Sequence, residues 1–329
     1  MSQPVAITPP GPPYLPRSAP VGGIPEVKVD APISGVFIFL FFLAAIFFII
    51  SVHADHRRTE RHPISILLVA FCALRITALA IRIAWATQLT NLNLAIAGNV
   101  FTLAGVVILY VVNLLLTRRL LADYARFGHH PATWRVFAFL IFCVASCLIM
   151  AVSATVDTFF TNKESVLRSA RDVQLCASTI LLALVIVPIP AVAALYFFHR
   201  REEAVAGGEE TRFRARCRLI FITALLLTLE AGFRCGTAFD ARPLGQAAWF
   251  HHKACLYCLN FLVELLVVYQ IVFARLDGRF RGQERREARK EGMLAGTGDG
   301  TGRPGGLLHR VNMEWEIFGG KRGRDVGSA

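Results

Sequence analysis

The sequence lacks the motifs that mark most enzymes and nucleic-acid-binding proteins. It has no glycine-rich phosphate-binding loop, no H-E-x-x-H metal-binding pair and no serine in a nucleophile-elbow context. The net charge of +12 is not interleaved with aromatic residues in a base-stacking or base-reading module. We therefore expect no catalytic residues, no cofactor, no metal ion and no bound nucleic acid.

Charged residues are also scarce, at 18% of the 329 residues, whereas 55% are hydrophobic. The mean hydropathy of +0.52 is higher than a soluble domain of this length needs. The apolar residues lie in seven blocks of about twenty, the length at which a helix crosses roughly 30 Å of hydrocarbon. The blocks are 33–53, 64–86, 94–116, 134–156, 173–198, 219–239 and 254–274. The fifth block contains Pro188 and Pro190, so we expect a kink there.

Several classes of membrane protein are not supported by motif. There is no internal repeat of the kind that transporters with inverted symmetry show, and no alternation in ten-residue strands that would indicate a barrel. The third block ends in T-R-R-L and not in D-R-Y, and the seventh contains V-Y-Q-I and not N-P-x-x-Y. No lysine lies in mid-block to bind retinal. A rhodopsin-like function therefore has only the number of blocks in its favour.

Arginines divide the connecting segments into two kinds. They are concentrated in residues 54–63, 117–133 and 199–217 and in the run from Arg275 to Lys290, and are sparser in the other connections. Connections rich in basic residues stay on the cytosolic side. The pattern predicts an all-α integral membrane bundle of about seven transmembrane helices, with the N-terminus outside and the C-terminus in the cytosol. We place it in the plasma membrane rather than in internal membranes.

The two ends differ in composition from the blocks. Residues 1–32 hold most of the prolines and no apolar core of signal-peptide type, so we expect a disordered extracytoplasmic tail. The transmembrane domain is expected over 33–274, and a basic, mostly disordered cytoplasmic tail over 275–329. The run from Arg275 to Lys290 is expected to lie against anionic lipid, at about 1 kcal/mol per basic residue. No cytosolic protein partner can be named.

Away from the block ends, five charged residues lie inside the blocks, where charge is costly. They are Arg75 and Arg82 in the second block, Glu230 and Arg234 in the sixth, and Glu264 in the seventh. A rise of 1.5 Å per residue places Arg75, Glu230 and Glu264 about 15–17 Å deep, near the midplane. The shared depth predicts an ion pair between Arg75 and a carboxylate. The four-residue spacing allows Glu230 to pair with Arg234.

Further polar groups lie toward the outer side, among them Arg82, Arg234 and Asn260. Our hypothesis is a polar cavity that opens outward between the second, sixth and seventh blocks and binds a small molecule or a lipid. Its predicted lining is Arg75, Arg82, Glu230, Arg234, Asn260 and Glu264. The alternative is a buried salt-bridge network that fixes helix packing and binds nothing.

The eight cysteines fall inside the blocks or at their edges, where they act as small apolar packing residues. Cys235, Cys255 and Cys258 lie near the outer ends of the last two blocks, and whether Cys235 forms a disulfide with either of the others stays open. His251, Cys255 and Cys258 are metal-ligand types on a shared helical face. A fourth ligand is not evident, so we expect no metal site.

Four stretches resemble an uncharacterised fungal multi-pass membrane family, a domain of unknown function. They are residues 75–101 (RITALAIRIAWATQLTNLNLAIAGNVF), 172–175 (DVQL), 233–237 (FRCGT) and 248–269 (AWFHHKACLYCLNFLVELLVVY). The likeness extends from about residue 32 to 280, and a more distant one links the chain to fungal lipid-translocating-exporter-like and receptor-like families. It implies about seven helices and supplies no substrate. The matching positions include Arg75, Arg82, Trp85, Asp172, Arg234, Trp249, Lys253, Cys255, Asn260 and Glu264, but not Glu230.

Three functions stay open on this evidence. The concentration of polar groups in the outer half favours a receptor-like, ligand-sensing protein that signals through the basic loop 199–217 and the tail. A transporter or lipid translocator is the first alternative, with the Pro188 and Pro190 kink as a hinge. A structural membrane protein is the second.

Overall fold

The chain folds into helices joined by short connections. The computed structural model describes residues 11–14, 19–56, 63–125, 128, 130–202, 209–243, 246 and 248–275, and no β-strand occurs in these ranges. The helices are α1 (Val27–His56), α2 (Pro63–Thr87), α3 (Leu92–Tyr124), α4 (Pro131–Phe160), α5 (Glu164–Ile186), α6 (Pro188–Glu202), α7 (Glu209–Phe239) and α8 (Lys253–Arg275).

Seven helical segments are long and apolar enough to cross a membrane. Six of them are single helices, and α5 together with α6 makes the fifth. A helix satisfies its backbone N–H and C=O groups internally, as a chain must where no water is present. The predicted all-α bundle with about seven spanning helices is confirmed for the described part of the chain. Which side each end faces stays a prediction.

The distribution of polarity across the bundle is the reverse of that in a soluble protein. Large apolar side chains face outward, such as Phe142 and Ile149 of α4, which are 67% and 71% exposed. Arg75, Glu230 and Glu264, in contrast, are fully buried. Hydrocarbon around the helices favours this arrangement, because it solvates apolar side chains and excludes charged ones. The chain is therefore a multi-pass membrane protein.

The helices extend beyond the apolar blocks at most ends. The helix α3 covers Leu92–Tyr124, where the block covers 94–116, and α5 begins at Glu164 and not at residue 173. The added turn of α5 is polar, with Arg168 Nη2 3.1 Å from Glu164 Oε1 one turn earlier. Hydropathy detects only the part of a helix that lies in hydrocarbon, whereas the helix itself continues into the wet interface.

The structure corrects the expectation of a disordered tail over residues 1–32. The helix α1 begins at Val27, and residues 19–26 pack against the bundle with Gly22 and Pro25 buried. The segment has too few apolar residues for a core of its own, which is why its composition predicts disorder. It is held instead by hydrogen bonds to the helices. Residues 1–10 lie outside the described part of the chain.

The fifth span is interrupted at Val187, between α5 and α6. The interruption lies where the sequence predicts a kink, since Pro188 is the first residue of α6 and Pro190 follows within its first turn. Proline has no backbone N–H to donate to the carbonyl one turn earlier. The first backbone hydrogen bond after the interruption is long: the N–H of Ala191 donates to the carbonyl of Val187 at 3.4 Å.

The helix α8 lies between α1, α2 and α7. Tyr269 of α8 donates its hydroxyl hydrogen to the carbonyl of Leu40 on α1 at 3.1 Å. Gln270 donates through Nε2 to the carbonyl of Leu219 on α7 at 3.0 Å. The helix α3 packs against α2, α4 and α7. This packing brings the middle parts of α2, α3, α7 and α8 together.

The end of α8 corrects one further expectation. Arg275 is buried and not exposed to lipid: its Nη1 donates to the Ser65 hydroxyl at 2.7 Å, and its guanidinium lies 5.9 Å from the centre of the Phe48 ring. Arg275 therefore belongs to the bundle and ties α8 to α1 and α2. The rest of the basic run to Lys290, with the remaining tail, lies outside the described residues.

Candidate functional site

The site begins with Arg75, which lies halfway along α2. Its Nη2 donates to Glu264 Oε1, halfway along α8, and both side chains are fully buried. Its Nη1 donates to the carbonyl of Thr102 on α3 at 2.9 Å. Phe71 and Phe261 have their ring centres 5.4 Å and 5.6 Å from the guanidinium. One arginine thus joins three helices, and the predicted pair of Arg75 with a carboxylate is formed by Glu264.

The close approach of α3 to α2 depends on a glycine. A Cβ atom placed at Gly105 would lie 2.8 Å from Cζ of Arg75, closer than real side chains pack. Any larger residue at this position would force the Arg75 guanidinium to move from its contacts with Glu264 and Thr102. Gly105 is a site residue that the charge pattern of the sequence did not indicate.

A second ion pair lies beside the first, on α7. The Nε of Arg234 donates to Glu230 Oε1 at 3.2 Å, as the four-residue spacing predicts. The carboxyl group of Glu230 is close enough to that of Glu264 for direct electrostatic interaction. Tyr110 of α3 lies within electrostatic range of all four charges. We call Arg75, Glu230, Arg234 and Glu264 the charge cluster; it contains two basic and two acidic side chains.

The charge cluster keeps hydrogen-bonding capacity that the described residues do not use. Such unused capacity is costly in a buried site and is the usual property of a place that takes polar groups from elsewhere. It includes both donors and acceptors. The donors without a partner among the described residues are Arg75 Nε and Arg234 Nη2, and the acceptors without a donor are Glu230 Oε2, Glu264 Oε2 and Oδ1 of the buried Asn260, although the two carboxyl groups lie within hydrogen-bonding range of each other.

Asn260 lies in an unusual part of α8. Residues Tyr257–Leu262 form a single π-helical turn, one turn away from Glu264. Turns of this kind occur often at functional sites, because the extra residue reorients side chains relative to the rest of the helix. Here the turn lets Tyr257 face α1 while Glu264 faces α2 and α7. Nothing in the apolar sequence of this block predicts it.

Arg82 does not pair with a carboxylate of the charge cluster. It lies at the end of α2 next to Thr87, where its Nε donates to Asp30 Oδ1 at 2.9 Å and its Nη2 donates to the carbonyl of Gly22 at 3.1 Å. Asp30, on the first turn of α1, also accepts from the Tyr257 hydroxyl at 2.7 Å and lies 3.0 Å from Lys253 Nζ. We call Asp30, Arg82, Lys253 and Tyr257 the outer network.

Sequence reasoning missed Asp30 because it assigned residues 1–32 to a tail. A signal was available, since Asp30 is an acidic residue next to the first apolar block and matches Arg82 in depth at the end of the second. Every acceptor that Asp30 offers is used, and its side chain is fully buried. Asp30 is thus fully paired, whereas Lys253 Nζ in the outer network makes ion pairs and no regular hydrogen bond among the described residues.

The cysteines and histidines make local contacts near the start of α8. All eight cysteines are free thiols. Cys255 Sγ donates to the carbonyl of Trp249 at 3.6 Å, and His251 Nδ1 accepts from the N–H of Ala248 at 3.1 Å. Cys235 is buried beside Thr179 of α5, with 3.9 Å between Sγ and Oγ1. No group of three metal-ligand side chains is assembled within the described ranges.

Comparison with known protein families gives a match over the C-terminal part of the bundle. Residues 208–281 match a family described as a protein of unknown function (DUF3112). The matched region contains α7 and α8, and so Glu230, Arg234, Asn260 and Glu264, while Arg75 lies outside it. The match is consistent with the resemblance to an uncharacterised family. No curated protein and no solved structure matches the chain.

Proposed function

We propose that this membrane protein senses a small polar ligand that binds at the charge cluster. The observation that carries the proposal is the unused hydrogen-bonding capacity of four fully or largely buried charges at the middle of the bundle. Ionisable side chains at this depth are expensive and are retained for substrate, ion or signalling pathways, or for packing. A cluster that served packing alone would gain stability by satisfying its own donors and acceptors.

The composition of the cluster restricts the ligand. It holds basic and acidic side chains next to each other, so a ligand with charge of a single sign would meet a side chain of its own sign at close range. Unused donors on Arg75 and Arg234 and unused acceptors on Glu230, Glu264 and Asn260 fit a molecule that carries both kinds of group. The ligand class is therefore a neutral polar molecule or a zwitterion. The proposal contains no catalytic step.

The ligand would reach the cluster from the end of the bundle that holds the start of α1. Arg234 is the most exposed member, at 21%, and lies toward that end of α7. Asn260 and the outer network lie on the same side. The distribution of basic connecting segments favours an orientation with this end outside the cell, which supports a sensing role in the plasma membrane. The response would pass to the basic loop 199–217 and the C-terminal tail.

The test uses purified protein in lipid nanodiscs and a panel of small probes: amino acids, betaines, polyols, monovalent organic cations and monovalent organic anions. A ligand that binds only the folded state raises the unfolding temperature in a concentration-dependent way. We expect stabilisation by a zwitterion or polyol in the wild type, its loss in Arg234→Gln, and its retention in the matched control Arg168→Gln, whose arginine is exposed on α5.

Two outcomes would contradict the proposal. One is the absence of stabilisation by every neutral and zwitterionic probe in the wild type. The other is equal stabilisation of the wild type and Arg234→Gln. A lower unfolding temperature in Glu264→Gln, combined with either outcome, would favour the structural alternative, in which the cluster only fixes helix packing.

Transport is the second candidate, and the interruption at Val187 supports it. Two helical halves joined at a proline can bend against each other, as alternating access requires. Uptake of a stabilising probe into sealed proteoliposomes separates the two functions. Net flux of the probe that is lost when the interruption at Val187 is removed would show that the protein is a transporter. Binding of the probe without flux would support a sensor.

A further inference from the structure

Residues 19–26, which we call the strap, are bound across one end of the bundle. The N–H of Ala19 donates to the carbonyl of Arg242, in the connection between α7 and α8, at 2.8 Å. The carbonyl of Gly22 accepts from Arg82 at the end of α2. Farther toward the N-terminus, the N–H of Tyr14 donates to the carbonyl of Phe159 at the end of α4 at 2.7 Å. Tyr14 thus contacts the end of α4, and the strap itself contacts the connection between α7 and α8 and the end of α2.

The strap fits its position closely at Gly22. This residue has a positive φ of 85°, and a Cβ placed on it would lie 2.9 Å from Cβ of Leu256 on α8. Both facts require glycine. The contact seats the strap directly on the turn of α8 that precedes the π-helical residues Tyr257–Leu262.

Arg82 holds the strap to the same network that joins α1, α2 and α8. Its guanidinium donates both to Asp30 and to Gly22. At the C-terminal end of the strap, the N–H of Glu26 donates to Asp30 Oδ2 at 2.8 Å. The Nζ of Lys253 lies 3.4 Å from Glu26 Oε1. The strap is thus fixed by hydrogen bonds and ion pairs, with only Val21, Gly22 and Pro25 in apolar or buried contact.

The charge cluster lies beneath the strap. From Tyr257, at the level of the strap, to Glu264, in the cluster, α8 rises on the order of 10 Å. Asn260 lies between the two, with an unused acceptor. Any polar molecule that approaches the cluster along α8 from this end must pass the position that the strap occupies.

We propose that the strap is a lid, a peptide bound by its own bundle, and that its release opens the route to Asn260 and the charge cluster. Its attachments differ from those of the helices. The helices share an apolar core, whereas the strap depends on a few polar contacts, one of which involves Glu26, a side chain 68% exposed. Segments with few buried apolar contacts open locally at low free energy while the rest stays folded. The proposal concerns access and holds for whichever ligand binds.

The test measures the access of a water-soluble thiol reagent to position 260 in nanodiscs. Asn260→Cys is compared in three backgrounds: the full chain, the full chain with Arg82→Gln, and a chain shortened to begin just before Glu26. Labelling is read peptide by peptide by mass spectrometry. The native Cys72 and Cys217 are buried and lie away from the strap, so they report unfolding in every sample.

With the strap in place we expect slow labelling at position 260. Labelling should become at least about tenfold faster in the Arg82→Gln and shortened chains, because opening no longer limits it, while Cys72 and Cys217 stay unreacted. Equal rates in all three backgrounds, fast or slow, would overturn the proposal.

A second measurement needs no substitution and covers the case in which the variants fail to fold. Amide hydrogen exchange of the wild type compares the strap amides of Ala19 and Glu26 with the core amides of Tyr110 and Asn113. The proposal expects the strap to exchange much faster than the core, through an opening of its own. Exchange of the strap as slow as that of the core would mean that the two open only together, and the lid would be excluded.

Discussion

Arg75 is the side chain of the charge cluster that joins different helices to each other. Its guanidinium bonds to Glu264 and Thr102, lies between the rings of Phe71 and Phe261, and touches the backbone at Gly105. A planar group with five donors can satisfy this many directions at once, and a lysine could not. The position therefore fixes the spacing of α2, α3 and α8 as well as the electrostatics of the site.

Gly105 offers a direct test of that spacing. In Gly105→Ala the new Cβ would overlap the Arg75 guanidinium, so we expect a loss of about 1–3 kcal/mol in the free energy of unfolding. Gly232→Ala is the matched control, because a Cβ there meets nothing within 4 Å. In a helix that exchange alone stabilises by up to about 1 kcal/mol. Reversible unfolding in detergent measures both, and equal effects would show that α3 can move away freely.

Much of the residue-scale pairing follows from helical spacing and depth. The four-residue spacing predicts the pair of Glu230 with Arg234, and matched depth predicts that Arg75 meets a carboxylate. Depth could not decide between Glu230 and Glu264, because that depends on the rotation of each helix about its axis. It also could not place Asp30 opposite Arg82, since hydropathy ends the first block before Asp30.

At the scale of single elements, the fifth span is the least regular. The interruption at Val187 follows from chemistry that is visible in the sequence, since Pro188 and Pro190 remove two N–H donors. In the double variant Pro188→Ala, Pro190→Ala we expect a continuous helix, with slower amide exchange over residues 186–192. Pro131→Ala is the control: it lies on the first turn of α4, where proline removes no helical hydrogen bond, and it should change nothing. Unchanged exchange in the double variant would show that packing imposes the interruption.

The π-helical turn of α8 is irregular for a different reason. Tyr257 is fixed by Asp30 of α1, while Glu264 is fixed by Arg75 of α2. The extra residue of the π-helical turn changes the angle between these two side chains relative to that in a regular helix. The cause lies in two other helices, so no local pattern of the sequence could reveal it.

At the scale of the whole molecule, the seven candidate spans of the described residues predict that the two ends lie on opposite sides of the membrane. The distribution of arginines further predicts which side each end faces. Glycosylation acceptor sites introduced near residue 5 and near residue 325 should be modified only at residue 5 when the protein is made in microsomes. Modification of both sites, or of neither, would contradict an odd number of spans; modification of residue 325 alone would reverse the orientation.

The sequence by itself determined that the chain lies in a membrane, the number of apolar spans and the similar depth of Arg75, Glu230 and Glu264, because apolar length and helical rise are local properties of the chain. Only the tertiary structure decided that Arg75 pairs with Glu264 and that Arg82 pairs with Asp30. It also decided that residues 19–26 lie across the end of the bundle. Those outcomes depend on the rotation of each helix about its axis and on its neighbours. Both are determined by the packing of all helices together, because every buried charge must find a partner on another part of the bundle.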